Sequence, residues 1–414
     1  MFNSAWMIAE KLISILGLIF VTSYVAKYVG AEVFGKIAFA TSVFQITQVI
    51  AQLGSDIIIF KRISKNEKSG VKLLRATYYI RLLTYMIVSI PVLIFLYHPD
   101  DKTGFIFVFA CFLSCFFSAL DVYVVYYDAK LQSKRNTIIN AIGLIISLLS
   151  RWSIALLSLN PVLLSIPIVC SGFIPYVLRK FYFQRNLSFK ESNIKHKIKY
   201  TKYLLGAGFS LVLSTLSVAV YTRLSMICVG YFLGSALVGV YSVAVTLSSA
   251  WSFVWSAFIT SSSPSIFNDK NDISAMKKAA RLNFLVFTLC CPIIATIYLF
   301  GSWFIYLFYG SEFTDSFIPM IILCFATLLS ALGTVATRFI AKYSGYSYLS
   351  KKMLAVVVLG FILNIIFIKY YGLIGASVAT LFTELASLTV LNYLFKRGVI
   401  LELHKKTFLL GTYK

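Results

Sequence analysis

Charge is scarce in this 414-residue chain and unevenly supplied: 13% of residues are charged, with 15 Asp and Glu against 38 Lys and Arg. A soluble globular domain typically has about a quarter of its residues charged, so this supply excludes that class. Histidine is nearly absent, with 3 residues at the ends of apolar runs or in loops. The 7 cysteines form no C-x-x-C pair, and all lie inside apolar runs. Neither zinc nor a disulfide framework is suggested, and the cysteines read as small hydrophobes. No cofactor or metal is implied. Also missing is any alternation of apolar and polar residues over ten-residue segments, which argues against a membrane β-barrel.

What the chain has instead is apolar length. Hydrophobic residues make up 59% of it, and the mean hydropathy is +0.85. About twelve runs are long enough to cross a bilayer as helices, at roughly 9–29, 36–60, 76–97, 104–126, 137–159, 162–183, 204–230, 236–262, 281–309, 315–343, 353–371 and 373–396. The first run is too long for a signal-peptide core and lacks a small-residue cleavage site, so it is expected to be retained. The fold class that follows is all-α, a polytopic membrane protein.

The net charge of +23 could suggest a nucleic-acid partner, but its distribution argues against one. If the N-terminus is cytoplasmic, 32 of the 38 Lys and Arg fall on the cytoplasmic side or at that end of a span. That is the positive-inside bias, and it places both termini inside. The basic loops 61–75 and 184–203 then face anionic headgroups of the inner leaflet.

Polar residues within the runs form stripes. Thr41, Gln45, Gln48, Gln52 and Asp56 recur every three or four residues and share one helix face of the second span. Amides and a carboxylate facing lipid are costly, so the stripe must face protein or a water-filled cavity. Glutamine both donates and accepts hydrogen bonds, which suits sugar hydroxyls; the bland alternative is adhesion between helices. On the fifth span Asn140, Ser147 and Arg151 share a face, and a guanidinium there can grip phosphate oxygens or snorkel to the interface. Arg223 in the seventh span is a weaker substrate-binding candidate, because it points nearly opposite the stripe of Ser210, Ser214, Ser217, Tyr221 and Ser225. Glu10, on a first-span face with Ser14, Gly17, Tyr24 and Tyr28, and Asp56 are the acidic residues of the first two stripes and the candidates for ion coupling.

The halves resemble each other. YVGAEVFGKIAFA (28–40) superposes on FLGSALVGVYSVA (232–244) at an offset of 204, pairing Gly30 with Gly234. The same offset sets Gln45 on Ser249 and Gln52 on Ser256, which become candidate cavity residues of the second half. Six spans per half makes the repeat parallel. The expected organisation is a six-helix lobe at 1–185, a basic linker at 186–203, a second lobe at 204–396 and a basic tail at 397–414. A cavity between lobes and alternating access follow from that plan.

With these residues in view, the chain resembles the O-antigen and polysaccharide flippases of the multidrug/oligosaccharidyl-lipid/polysaccharide exporter superfamily. The resemblance rests on Asn3, Trp6, Glu10-Lys11, Ala26 to Gly30, Val33-Phe34-Gly35 and Leu53 to Asp56 with Arg62. It continues in Arg223 with Gly230 to Gly234 and Val238 to Ser242, and in Asn364 with Tyr370 to Ala376. Two positions depart from the family pattern: Ala31, often proline, and Ser225, often acidic. The resemblance implies a non-enzymatic flippase for undecaprenyl-diphosphate-linked oligosaccharide in the bacterial inner membrane. Membrane lipids, and candidate polymerase and chain-length proteins, are its implied partners.

Three rivals stay open at this point. A multidrug or cation exporter of the same superfamily would favour acidic linings, which are sparse here. An O-antigen polymerase or glycosyltransferase would carry a large outer loop, and every expected outer connection is short. An assembly scaffold would not need polar stripes.

Overall fold

The computed structural model describes residues 2–186, 215–269 and 271–409, and these are almost entirely helical, with no strand among them. Side chains are described from residue 19 onward in the first helix, together with Gly17. The helices are α1 (Phe2–Gln52), α2 (Ser55–Lys65), α3 (Glu67–Phe95), α4 (Lys102–Leu120), α5 (Tyr123–Ala129), α6 (Ser133–Leu156), α7 (Ser165–Asn186) and α8 (Thr215–Leu233). They continue with α9 (Ser235–Ser249), α10 (Ser252–Phe267), α11 (Asp272–Phe308), α12 (Phe317–Lys342), α13 (Tyr346–Leu388), α14 (Val390–Tyr393) and α15 (Val399–Phe408).

Ten continuous segments among the described residues are long and apolar enough to span a membrane. Two of them hold two expected spans each. α1 breaks at Gly30 (φ 78°, ψ 169°) and α13 at Gly372 (φ 55°, ψ −131°), both in backbone regions that favour glycine. Cutting there recovers the expected twelve. The parallel repeat has a conformational counterpart: Gly234, the partner of Gly30 in sequence, adopts φ 86° and ψ 174° ahead of α9.

The chain divides into two compact units, Met1–Arg223 and Leu224–Lys414. The division falls within α8. The expected linker at 186–203 lies outside the described residues apart from Asn186.

In the first unit α4 packs against α1, α7 and α3. Its sequence is apolar on all sides, as a helix surrounded by others requires. Asp101 caps its start by accepting from the Gly104 amide at 2.8 Å, and Lys36 of α1 reaches the same carboxylate at 2.7 Å. The Lys36 ammonium and the Gly104 amide hold the Asp101 carboxyl below its ordinary range. Phe107, Cys111 and Cys115 of α4 are buried together with Phe44 and Ala40 of α1 and Tyr85 of α3. At Gly172 of α7 a Cβ would fall 2.3 Å from the Ser114 carbonyl oxygen, so only glycine permits that approach.

In the second unit α12 has the central place, against α13, α9, α11 and α10. Within the basic tail, α15 buries Ile400, Leu403 and Thr407 on one face and packs on α11.

Candidate functional site

The stripe of the second span is straight only as far as Gln52. Leu53 (φ 51°) and Gly54 (φ 58°) are both left-handed and end α1, so Asp56 belongs to α2. The expectation of a single five-residue face is corrected accordingly, because two consecutive left-handed residues cannot continue a right-handed helix. Thr41 meets the Cys111 thiol at 3.3 Å. Gln45, Gln48 and Gln52 line a cavity of about 520 Å³, with Val49 between them. Its other wall is α8: Thr215, Val218, Ala219, Thr222 and Arg223.

This arrangement revises the reading of span seven. The face that meets the cavity is the one opposite the serine stripe, where Arg223 sits. Ser217 of that stripe is buried, and Ser225 hydrogen-bonds Thr380 at 2.9 Å. The opposite face, which carries Arg223, meets the glutamines. Small hydroxyls serve close helix packing, whereas the long guanidinium needs the open side.

The cavity is chemically unsaturated. The Gln45 Oε1 is buried and has no hydrogen-bond partner, and Arg223 has no ion pair among the described residues. Arg151 of α6 is likewise without a carboxylate among the described residues, and its Nε is buried with no acceptor. Arg151 acts electrostatically on Cys111 and Arg223 on Cys115, one turn apart on α4. Both guanidiniums are therefore brought to the same stretch of that helix.

The other candidates are placed differently. Ser147 donates to the Pro167 carbonyl at 2.9 Å and is buried. Asn140 accepts from Arg179, whose guanidinium also pairs with Asp121 and donates to Asn136. Ser249 and Ser256 lie on consecutive helices, α9 and α10, each bonded to its own helix backbone. Asp56 pairs with Arg81 and not with Lys61 or Arg62. The side chain of Glu10 lies outside the described residues.

Two buried cations were missed as partners. Arg81 and Arg179 look like interfacial charge in sequence, because each sits toward the inner end of a span. Each lies within an expected span and is paired in space with an aspartate of another helix or turn, Asp56 or Asp121.

A profile of the polysaccharide biosynthesis protein family matches residues 2–270. The chain belongs to that family. A curated relative, described as a probable low-salt glycan biosynthesis flippase (Agl15) of Haloferax volcanii, is 25% identical over 196 residues. That match spans 47% of this chain and 40% of the relative, well under its full length. Among solved structures, a lipid II flippase, MurJ, in an inward closed conformation superposes with a TM-score of 0.69 at 15% identity, covering 97% of this chain and 89% of that one. An inward-facing multidrug resistance transporter of the MATE family gives 0.66 at 14% identity, covering 97% and 99%. This family member therefore has the fold common to both, a multi-pass helical membrane protein.

Proposed function

We propose that the protein flips a lipid-linked oligosaccharide carried on a polyprenyl diphosphate, undecaprenyl diphosphate in a bacterial host, from the inner to the outer leaflet. The observation that carries this reading is the cavity in which Gln45, Gln48 and Gln52 face Arg223. A lipid-linked glycan brings hydroxyls and phosphates into the membrane while its tail stays in lipid. Three amides over two helical turns, about 10 Å, suit a short run of sugars. A guanidinium without a carboxylate neighbour suits phosphate oxygens. The second cation, Arg151 of α6, would serve the diphosphate from beside Cys111, one turn of α4 from Cys115. The glycan biosynthesis flippase of Haloferax volcanii and the polysaccharide family agree with a glycan substrate.

Glu10 and Asp56 are the carboxylates we propose for ion coupling. Transport without a covalent step makes the protein a transporter and not an enzyme.

The test is reconstitution in liposomes with a fluorescently labelled undecaprenyl-diphosphate oligosaccharide, with a lipophilic cationic dye in parallel. Glycolipid flipping without dye transport is expected. Dye transport without glycolipid flipping would turn the assignment to the cation-exporter reading.

A further inference from the structure

A second cavity, of about 440 Å³, lies on the first unit among α5, α6 and α7, with no residue in common with the first. Its lining is Tyr127, Arg135, Ile138, Ile139, Ile142, Leu178, Tyr182 and Arg185. The register between α6 and α7 fixes its layout. Asn136 bonds Arg179 at 3.0 Å, and Gly143 faces Pro175, so the helices run antiparallel. Arg135, near the start of α6, and Arg185, near the end of α7, therefore lie at the same end. Ile138, Ile142 and Leu178 continue from there along the helices as an apolar wall, about 10 Å for the stretch from Arg135 to Ile142.

Neither arginine has an ion pair among the described residues, although carboxylates stand nearby. Glu67 is taken by Lys130 at 2.7 Å and by Tyr126 at 2.7 Å. Asp128 accepts from Asn136 at 2.8 Å and from Ser133 at 3.2 Å. Asp121 is held by Arg179. Tyr127 is buried, and the Arg135 guanidinium lies over its ring, 5.9 Å from the centroid. One end of the groove thus offers two guanidiniums without a carboxylate, one of them resting on the Tyr127 ring. The other end offers exposed isoleucine, with Ile142 40% accessible.

We infer that this groove binds an anionic phospholipid, with the phosphate between Arg135 and Arg185 and an acyl chain along Ile138, Ile142 and Leu178. Charge complementarity selects an anion, and the apolar wall running away from it selects a lipid over a free ion. The charge bias of the sequence places this end at the cytoplasmic face, where anionic lipid and basic side chains attract.

The experiment uses the full-length purified protein in micelles doped with phosphatidylglycerol or phosphatidylcholine, read by native mass spectrometry. Phosphatidylglycerol is retained preferentially, and its apparent affinity falls about thirtyfold in Arg135→Gln/Arg185→Gln, at roughly fivefold per lost cation. Ile142→Trp, which fills the groove and keeps both cations, loses the lipid as well. Both substituted faces are exposed, and thermal midpoints verify the fold. Unchanged retention in the double variant overturns the proposal. Full retention in Ile142→Trp, or displacement by inorganic phosphate, marks a bare anion site and overturns it too. Preferential capture of undecaprenyl phosphate over phosphatidylglycerol would assign the groove to the transported lipid instead.

Discussion

Arg81 and Asp56 form an ion pair between α3 and α2 in which the cation is buried and the anion half exposed. Ser55 accepts from the same guanidinium at 2.5 Å, and the Ala119 carbonyl accepts at 3.2 Å. The left-handed break at Leu53 and Gly54 turns the chain so that Ser55 and Asp56 reach this arginine. The pair thus anchors the end of the glutamine helix.

Removing the anion leaves a buried cation with neutral acceptors only. Asp56→Asn should lower stability by about 1–3 kcal/mol, below the range for a wholly buried pair because Asp56 retains water. Arg81→Met in the same chain should restore part of the loss, since the uncompensated charge goes with it. Thermal unfolding of the purified variants forms the cycle. A double variant no more stable than Asp56→Asn would show that the buried charge is not the cause.

Gly30 and Gly234 occupy a region of backbone space that is nearly closed to other residues. At Gly234 an added Cβ would meet nothing within 4 Å, so the backbone alone sets the cost. Gly234→Ala should destabilise by about 1–3 kcal/mol. Gly333, in the middle of α12, also has open space around its Cβ but an ordinary backbone, so Gly333→Ala should be neutral or slightly stabilising. Equal thermal midpoints for the two variants would refute the strain argument.

These glycines show how far the sequence could be read. The twelve spans and the repeat were legible because both depend on local chemistry, apolar length and the turn glycines. The end of the stripe at Gln52 was not, since Leu53 gives no sign of its left-handed backbone. The partners of Arg81 and Arg179 were hidden because residues 25 and 58 positions away supply them. Arg223 was undervalued for a different reason: a polar stripe on a membrane helix marks close packing as readily as a cavity, and periodicity cannot tell the two apart.

The docking of α15 should depend on pH. His404 shares a hydrogen bond with the Tyr393 hydroxyl at 3.0 Å, and its other nitrogen is buried without a partner among the described residues. Burial lowers its pKa to about 4. The folded state therefore favours the neutral ring, and its stability is fully present above the unfolded value of about 6.5. Stability is lost as pH falls from there toward 4, because the unfolded state binds the proton first. Amide hydrogen exchange across 399–408, corrected for intrinsic rate, should accelerate at pH 5 relative to pH 7.5 in the native protein and not in His404→Gln. Identical protection at both pH values would remove the histidine from this role.

Sidedness follows from charge bias and from an even number of spans. Reporter fusions after Lys102, Asn160 and Ser311 should signal outside, and fusions after Lys68 and Lys195 inside. Two or more reversed signals would invert the arrangement, and with it the leaflet assigned to the groove at Arg135 and Arg185.

The cavity itself makes the sharpest prediction. Arg223 reaches the glutamines from α8, and its value lies in both charge and planar geometry. Arg223→Ala should reduce glycolipid flipping at least tenfold, the loss expected when a charge-assisted phosphate contact of about 1.5–3 kcal/mol is removed. Arg223→Lys keeps the charge without the bidentate fork and should retain part of the rate. Gln48→Leu removes one amide from the cavity wall and, if that wall holds the glycan, should raise the substrate concentration needed for half-maximal flipping with less effect on the maximal rate. Arg151→Ala separates the two cations: an effect as large as that of Arg223→Ala would mean that both hold the diphosphate. Full activity in Arg223→Ala at matched protein level, with activity lost in Arg151→Ala, would move the phosphate site to α6 and leave Arg223 a structural charge.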